Sequence, residues 1–246
     1  MGSESRGVVF FDVGGTLVDV SPSVGAVYAT ACAARGARVA PSDLQEAFDR
    51  AWVTLSEDVP RGADRYRLFA GGEREWWERV STRAFDLCGV PVPARPPADE
   101  LRAVFARPEA WKIYPEARDA LAELRRRGYR LGVLSNWDSR LPELLAALDL
   151  EAHFEALIYS AAAGYEKPHP AIFTAALEAL NVDPSRAVHI GDRLEEDYAG
   201  AKSAGMRALL VRRGPDLAAM RQEMTHRGDE RDLVADLGEA VRRIVE

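Results

Sequence analysis

Val8-Val9-Phe10-Phe11-Asp12-Val13-Gly14-Gly15-Thr16-Leu17, residues 8–17, decides how the rest of the chain is read. Four consecutive large apolar residues are the pattern of a short strand buried on both faces. That strand delivers one acidic residue, Asp12, to its carboxyl end. Two glycines then let the backbone turn sharply and approach a ligand closely. A carboxylate at the mouth of a parallel strand can act as a nucleophile, a metal ligand, or both. The plainer reading is a strand and a turn with Asp12 as a cap. Three later stretches argue against it.

Downstream of about Ile113 the apolar pattern alternates between strand and helix. A helix is expected over Pro115 to Arg127, ended by Gly128, then a strand over Arg130 to Leu134. The alternation continues with helix Leu141 to Leu148, strand Ala156 to Tyr159, helix Pro170 to Leu180 and strand Ala187 to Ile190. Helix Asp197 to Ala204, strand Ala208 to Val211 and helix Leu233 to Ile244 complete it. Such alternation predicts an α/β fold, a Rossmann-like parallel sheet with helices on both faces. Residues 24 to about 108 interrupt it with helical spacing only, as at Val24, Val27, Tyr28 and Ala31. The expected organisation is therefore a core of residues 1–20 and 110–246 carrying an all-helical insert, residues 21–109. Aromatics of the insert, Trp52, Tyr66, Trp76 and Trp77, read first as its own core. Arg65 and Arg67, in an irregular stretch, are offered as substrate contacts.

Composition narrows the function classes. The 246 residues are 47 % hydrophobic and 29 % charged, with a net charge of −7. That balance argues against nucleic acid as a partner. No apolar run is long enough to span a membrane, so no membrane partner is expected. Cys32 and Cys88 lack metal-type spacing and read as small core hydrophobes, which points to a cytoplasmic, reducing compartment. The opening Met1-Gly2-Ser3-Glu4-Ser5-Arg6 carries no signal-peptide or myristoylation pattern. Oligomeric state is not readable.

Ligands of such sheets sit beyond the carboxyl ends of the strands. Three further strand ends supply chemistry there. Leu134-Ser135-Asn136 offers a hydroxyl and an amide to an anion. Glu166-Lys167-Pro168-His169-Pro170 offers an ammonium on a stiffened backbone, suited to neutralising a carboxylate and an incoming anion. Ile190-Gly191-Asp192, with Asp197 five residues on, offers carboxylates. Asp12 and Asp192 suit a hard cation such as Mg²⁺, which takes one or two protein carboxylates. Asp197 suits a supporting role, capping a helix or orienting Lys167. The histidines form no ligand-like cluster.

These four stretches, in this order, resemble the haloacid dehalogenase (HAD) superfamily over nearly the whole chain. The likeness includes Asp197-Tyr198-Ala199-Gly200-Ala201 and Ala204-Gly205-Met206. Trp76-Trp77, Ser135 to Leu141 and Ala161 to Pro168 are similar to one branch of it, whose substrates are poorly defined. The resemblance implies sheet order 5-4-1-2-3 with Asp12 on the central strand, and it makes the helical insert a cap domain. It implies a hydrolase acting on a small phosphorylated molecule, with Asp12 as nucleophile and Lys167 as its catalytic cation. Ser135, Asn136 and Lys167 would bind the phosphoryl group. Asp12, the main-chain carbonyl of Gly14 and Asp192 would hold Mg²⁺, with Thr16 and Asp197 in support.

One departure stands out. Phosphatases of the superfamily carry a second aspartate two residues after the nucleophile, to protonate the departing alkoxide. This chain has Gly14 there. Proton transfer of that kind is worth about 10²–10⁴-fold, so simple alkyl phosphates are expected to turn over slowly and aryl or acyl phosphates to suffer less. Ranked behind the phosphohydrolase are a non-enzymatic module binding a phospho-ligand or protein, and then a 2-haloacid dehalogenase.

Overall fold

The computed structural model describes residues 6–246, so the opening pattern over residues 1–5 lies outside the described part. Strand β1, Gly7–Phe11, is buried along its whole length, as its unbroken apolar run demands. Two short strands, β2 (Val18–Val20) and β3 (Trp111–Ile113), pair with each other. The remaining strands are β4 (Tyr129–Ser135), β5 (Ala156–Tyr159), β6 (Ala187–Gly191), β7 (Arg207–Val211) and β8 (Leu233–Val234). With β1 they form a six-stranded sheet in the order β5-β4-β1-β6-β7-β8, every pairing parallel.

Counted along the core alone, that order is 6-5-4-1-2-3. The expected 5-4-1-2-3 therefore differs in one detail, the edge strand β8. Leu233 and Val234 were assigned to the last helix because Leu233 and Leu237 stand four apart. The helix instead runs Leu237–Val245, and Asp236 stops it reaching back. The Asp236 carboxylate accepts from Glu239 N–H at 2.7 Å, while Glu239 Oε2 accepts from Ala235 N–H at 2.9 Å. That reciprocal cap satisfies orphan amides and frees the two preceding residues to pair with β7.

Two smaller differences have local causes. The helix expected from Pro115 runs Ala117–Arg126, with Glu116 at its N-cap. The helix expected from Asp197 begins as a π-helical turn, Leu194–Ala199, and continues as Gly200–Ser203. A further helix, Asp216–Arg227, buries only Met224 fully and spaces its apolar residues without a clear helical stripe, so it left little periodic signal.

The described residues divide into two compact units, residues 6–19 with 113–246, and Val20–Lys112. In the first, one face of the sheet packs Phe10, Leu134, Phe173 and Leu210 into a common core. The second is built on helices Val24–Ala33, Pro41–Glu57, Gly72–Leu87 and Ala98–Phe105. Tyr28, Leu44, Phe85 and Leu101 make its centre. Trp76 is completely buried and meets Trp52 edge-on at 5.6 Å. Arg65 lies over both rings, 4.4 Å from Trp52 and 5.0 Å from Trp76. The guanidinium offered as a substrate contact is thus engaged in the unit's own packing. No helix among the described residues is long and apolar enough to cross a membrane.

Candidate active site

Parallel register brings the acidic residues together. Phe11 lies opposite Val133 of β4 and Ile190 of β6. Asp12 extends the strand by one residue, its N–H donating to Ile190 O at 2.9 Å. Ser135 ends β4 and Gly191 ends β6, so Ser135 and Asp192 emerge on either side of Asp12. Ser135 Oγ donates to Asp12 Oδ1 at 2.8 Å.

Lys167 reaches the same oxygen from the loop beyond β5. Its Nζ lies 2.8 Å from Asp12 Oδ1, 2.8 Å from Leu134 O and 2.5 Å from Asp197 Oδ1. Each of its three protons has an acceptor in a place almost closed to water, at 3 % exposure. Burial works against the charge, but Asp12 and Asp197 outweigh it and hold Lys167 above its ordinary value.

Asn136 follows Ser135 directly at the end of β4. It was expected to contact the substrate, yet both ends of its amide serve the Lys167 main chain. Nδ2 donates to Lys167 O at 3.0 Å, and Oδ1 accepts from Lys167 N–H at 2.7 Å. Its part is to set the ammonium's approach. Thr16 is buried in the turn, and among the described residues its Oγ1 has no hydrogen-bond partner.

Asp197 is held from three sides. Lys167 Nζ and His189 Nε2 meet Oδ1, the latter at 2.9 Å, and Arg193 N–H donates to Oδ2 at 2.9 Å. Burial would raise its carboxyl, but the Lys167 charge and the His189 hydrogen bond hold it below the usual range. Burial lowers His189, so the neutral ring is the donor to Asp197. Gly191 makes this fit possible. A Cβ there would stand 2.2 Å from Asp197 Cγ. Gly191→Ala is therefore expected to destabilise the protein by about 1–3 kcal/mol, read as a lowered melting temperature. An unchanged melting temperature would refute the tight fit.

Asp192 is held more loosely, its Oδ2 3.8 Å from Arg193 Nε. Its Oδ1 is buried without a hydrogen-bond partner among the described residues. Burial, then Asp12 and Asp197, push its carboxyl up to about 7. One ligand atom each from Asp12, Asp192 and Asp197 lie within 4.8 Å of one another. An orphaned buried carboxylate oxygen among like charges is the setting a hard cation relieves, and all the donors are oxygens. The residues present therefore fit Mg²⁺. Gly15 keeps the space open: at φ +74°, with a Cβ position 2.6 Å from Asp192 Oδ2, it admits no other residue without strain.

Two features escaped the sequence reading. Arg213, beyond β7, donates to Gly15 O at 2.7 Å, to Thr16 O at 3.1 Å and to Glu116 Oε1 at 2.7 Å. It also lies 3.7 Å over the Tyr114 ring, so it clamps the turn that follows Asp12. Trp137 sets its ring against Gly14, with Cζ3 3.1 Å from where a Gly14 Cβ would stand. Asp19, the next acid along the chain, accepts from Tyr114 Oη at 3.2 Å.

Comparison with known proteins agrees with this architecture. The family model for haloacid dehalogenase-like hydrolases matches residues 7–205. The human haloacid dehalogenase-like hydrolase domain-containing protein 3 is 38 % identical over 204 residues, covering 82 % of this chain and 80 % of that protein. A Thermus thermophilus phosphoserine phosphatase is 36 % identical over 170 residues, covering 68 % of this chain and 65 % of that protein. Among solved structures, a HAD phosphatase from Thermococcus onnurineus superposes with a TM-score of 0.57 at 26 % identity, covering 85 % and 88 % of the two chains. With a β1 aspartate, a β4 serine, a loop lysine and a β6 acidic pair at one set of strand ends, the chain belongs to the haloacid dehalogenase-like hydrolase family.

Proposed function

We propose that the chain is a Mg²⁺-dependent phosphohydrolase that forms an aspartyl-phosphate on Asp12 from a small phosphorylated substrate. The observation that carries this is Lys167 Nζ at 2.8 Å from Asp12 Oδ1, with Asp192 Oδ1, buried and without a hydrogen-bond partner among the described residues, in the same cluster. Phosphatases among its relatives support the choice of phosphoryl transfer. Asp12, the Gly14 carbonyl and Asp192 would hold Mg²⁺, which supplies charge neutralisation at the phosphoryl oxygens.

In this reading an Asp12 carboxylate oxygen attacks phosphorus. The bond from phosphorus to the leaving oxygen breaks, and its electron pair departs with that oxygen. Lys167 offsets the negative charge of nucleophile and phosphoryl group, and Ser135 orients the carboxylate. Asn136 fixes the lysine's backbone, Asp197 fixes its ammonium, and Arg213 braces the turn. Water then attacks the acyl-phosphate, releasing phosphate and regenerating Asp12. No side chain at position 14 provides the proton, so turnover of alkyl phosphates is slow. The helical unit, Val20–Lys112, is part of the proposal as a cap that selects substrates, tested by whether substitutions in it shift KM for one substrate more than another.

The test is hydrolysis of an aryl phosphate with and without Mg²⁺, beside a 2-haloacid, with chemical trapping of the phosphorylated aspartate. The expected result is Mg²⁺-dependent phosphate release and a trapped adduct at Asp12 that Asp12→Asn lacks. Halide release without metal would replace the proposal with dehalogenation. A second reading, a phospho-ligand-binding module without turnover, is favoured by Gly14 and the ring set against it. Binding of phosphate with no adduct and no hydrolysis would establish that reading instead.

A further inference from the structure

We propose that Trp137 is the leaving-group platform of the Asp12 site, and that its substrates are aryl phosphates whose aromatic ring stacks on the indole. This rests on the phosphohydrolase reading and adds the substrate class.

The argument begins with what stands beside Gly14. A Cβ built there would lie 3.1 Å from Trp137 Cζ3 and 3.9 Å from Cη2. Carbon atoms pack best at about 3.5–4.0 Å, so the edge of the indole crowds the first atom of any side chain at position 14. Gly14 is two residues beyond Asp12, and Trp137 is two residues beyond Ser135, which bonds Asp12. The ring therefore stands beside Gly14, two residues from the nucleophile. Where the resemblance leads one to expect a carboxylic acid facing the departing oxygen, this protein presents an aromatic surface.

Trp137 is held in place through its backbone. Its N–H donates to Ser160 Oγ at 3.1 Å, and its carbonyl accepts from Ser160 Oγ at 3.1 Å and from Ala161 N–H at 3.2 Å. Ser160 is completely buried. The next residue, Asp138, is also buried and accepts from Arg140 N–H at 3.1 Å and Nε at 2.9 Å. Trp137 itself is of intermediate exposure, less enclosed than Ser135 and Asp138 beside it.

Chemistry links the ring to a substrate class. Without a proton donor at position 14, and with Asp19 engaged by Tyr114, the departing oxygen leaves as an anion. A phenolic oxygen, with an ordinary pKa of about 10, tolerates this far better than an alkoxide of basicity near that of hydroxide (about 15.7 for water). A phenolic leaving group also carries a flat ring. Offset or edge-on aromatic pairing gives a preference of roughly ten-fold at its upper end. The missing acid and the tryptophan thus select the same molecules.

The test uses phosphonates, which bind without turning over. Phenylphosphonate and methylphosphonate are titrated calorimetrically, with Mg²⁺ present, into the full chain, Trp137→Leu and Trp137→Phe. Leucine keeps apolar bulk and loses the aromatic face, while phenylalanine keeps the face. The wild type is expected to favour phenylphosphonate by about ten-fold. Trp137→Phe should retain most of that ratio and Trp137→Leu should lose it, with methylphosphonate affinity unchanged in both. Equal affinities in the wild type, or the same ratio in Trp137→Leu, would overturn the platform while leaving phosphoryl chemistry intact. Binding of neither phosphonate to the wild type would overturn the phosphohydrolase reading and the platform together.

Discussion

Lys167→Met is expected to abolish aspartyl-phosphate formation and to lower stability by about 3–5 kcal/mol. Methionine matches the length and apolar stem of lysine but removes the ammonium. Three acceptors then lose their donor: Asp12 Oδ1, Asp197 Oδ1 and Leu134 O. Three carboxylates remain with ligand atoms within 4.8 Å of one another, and the exposed Arg193, 3.8 Å from Asp192, does not replace the buried ammonium. Removing one member of a buried ion pair leaves the other charged and desolvated, which is why the loss exceeds that for a surface pair of the same length. At about 2–4 °C per kcal/mol for a chain of this size, the melting temperature should fall by roughly 6–20 °C. Added Mg²⁺ should recover more of that loss in the variant than it adds to the wild type, because the cation takes over part of the neutralisation. A variant that melts with the wild type and still forms the adduct would remove Lys167 from the site.

That lysine was legible in the sequence because its signal is local. Two prolines just after the lysine in Lys167-Pro168-His169-Pro170, following a strand, mark a held loop at a strand end. Asp12 and Asp192 were legible for the same reason, each leaving an apolar run beside glycine. Asp197 reads from the sequence as capping a helix or orienting Lys167, and the structure has it 2.5 Å from Nζ. Residues defined by long-range contact left no such trace. Arg213 braces carbonyls 197 and 198 positions away, and nothing around it repeats or alternates. His189 reads as one more residue of a buried strand, although its ring holds Asp197. The tie from Asn136 to the Lys167 main chain went unread, because an amide beside a phosphate site and an amide tying down a neighbouring loop look alike until the partner is known. The edge strand β8 was hidden by arithmetic, since Leu233 falls in helical phase with Leu237 and only the Asp236 cap separates them.

The gain-of-function counterpart concerns the same absence that shapes the substrate. Gly14→Asp alone should raise alkyl phosphate hydrolysis little, because Trp137 Cζ3 stands 3.1 Å from the new Cβ and the ring edge must yield before the side chain can settle. Backbone strain is not the obstacle, as Gly14 is not among the glycines with positive φ. Combining Gly14→Asp with Trp137→Ala removes the crowding and provides a proton donor two residues from the nucleophile. Turnover of an alkyl phosphate should then rise by about 10²–10⁴-fold over Trp137→Ala, equivalent to about 3–5 kcal/mol of barrier. Aryl phosphates should gain far less, since their leaving oxygen needs no proton, and the steep dependence of rate on leaving-group basicity should flatten. The single and double variants therefore separate two causes of low activity that a wild-type assay confounds. If the double variant hydrolyses alkyl phosphate no faster than Trp137→Ala, proton donation at position 14 is not what limits this site. If Gly14→Asp alone gives the full increase, the indole yields freely and does not guard that position.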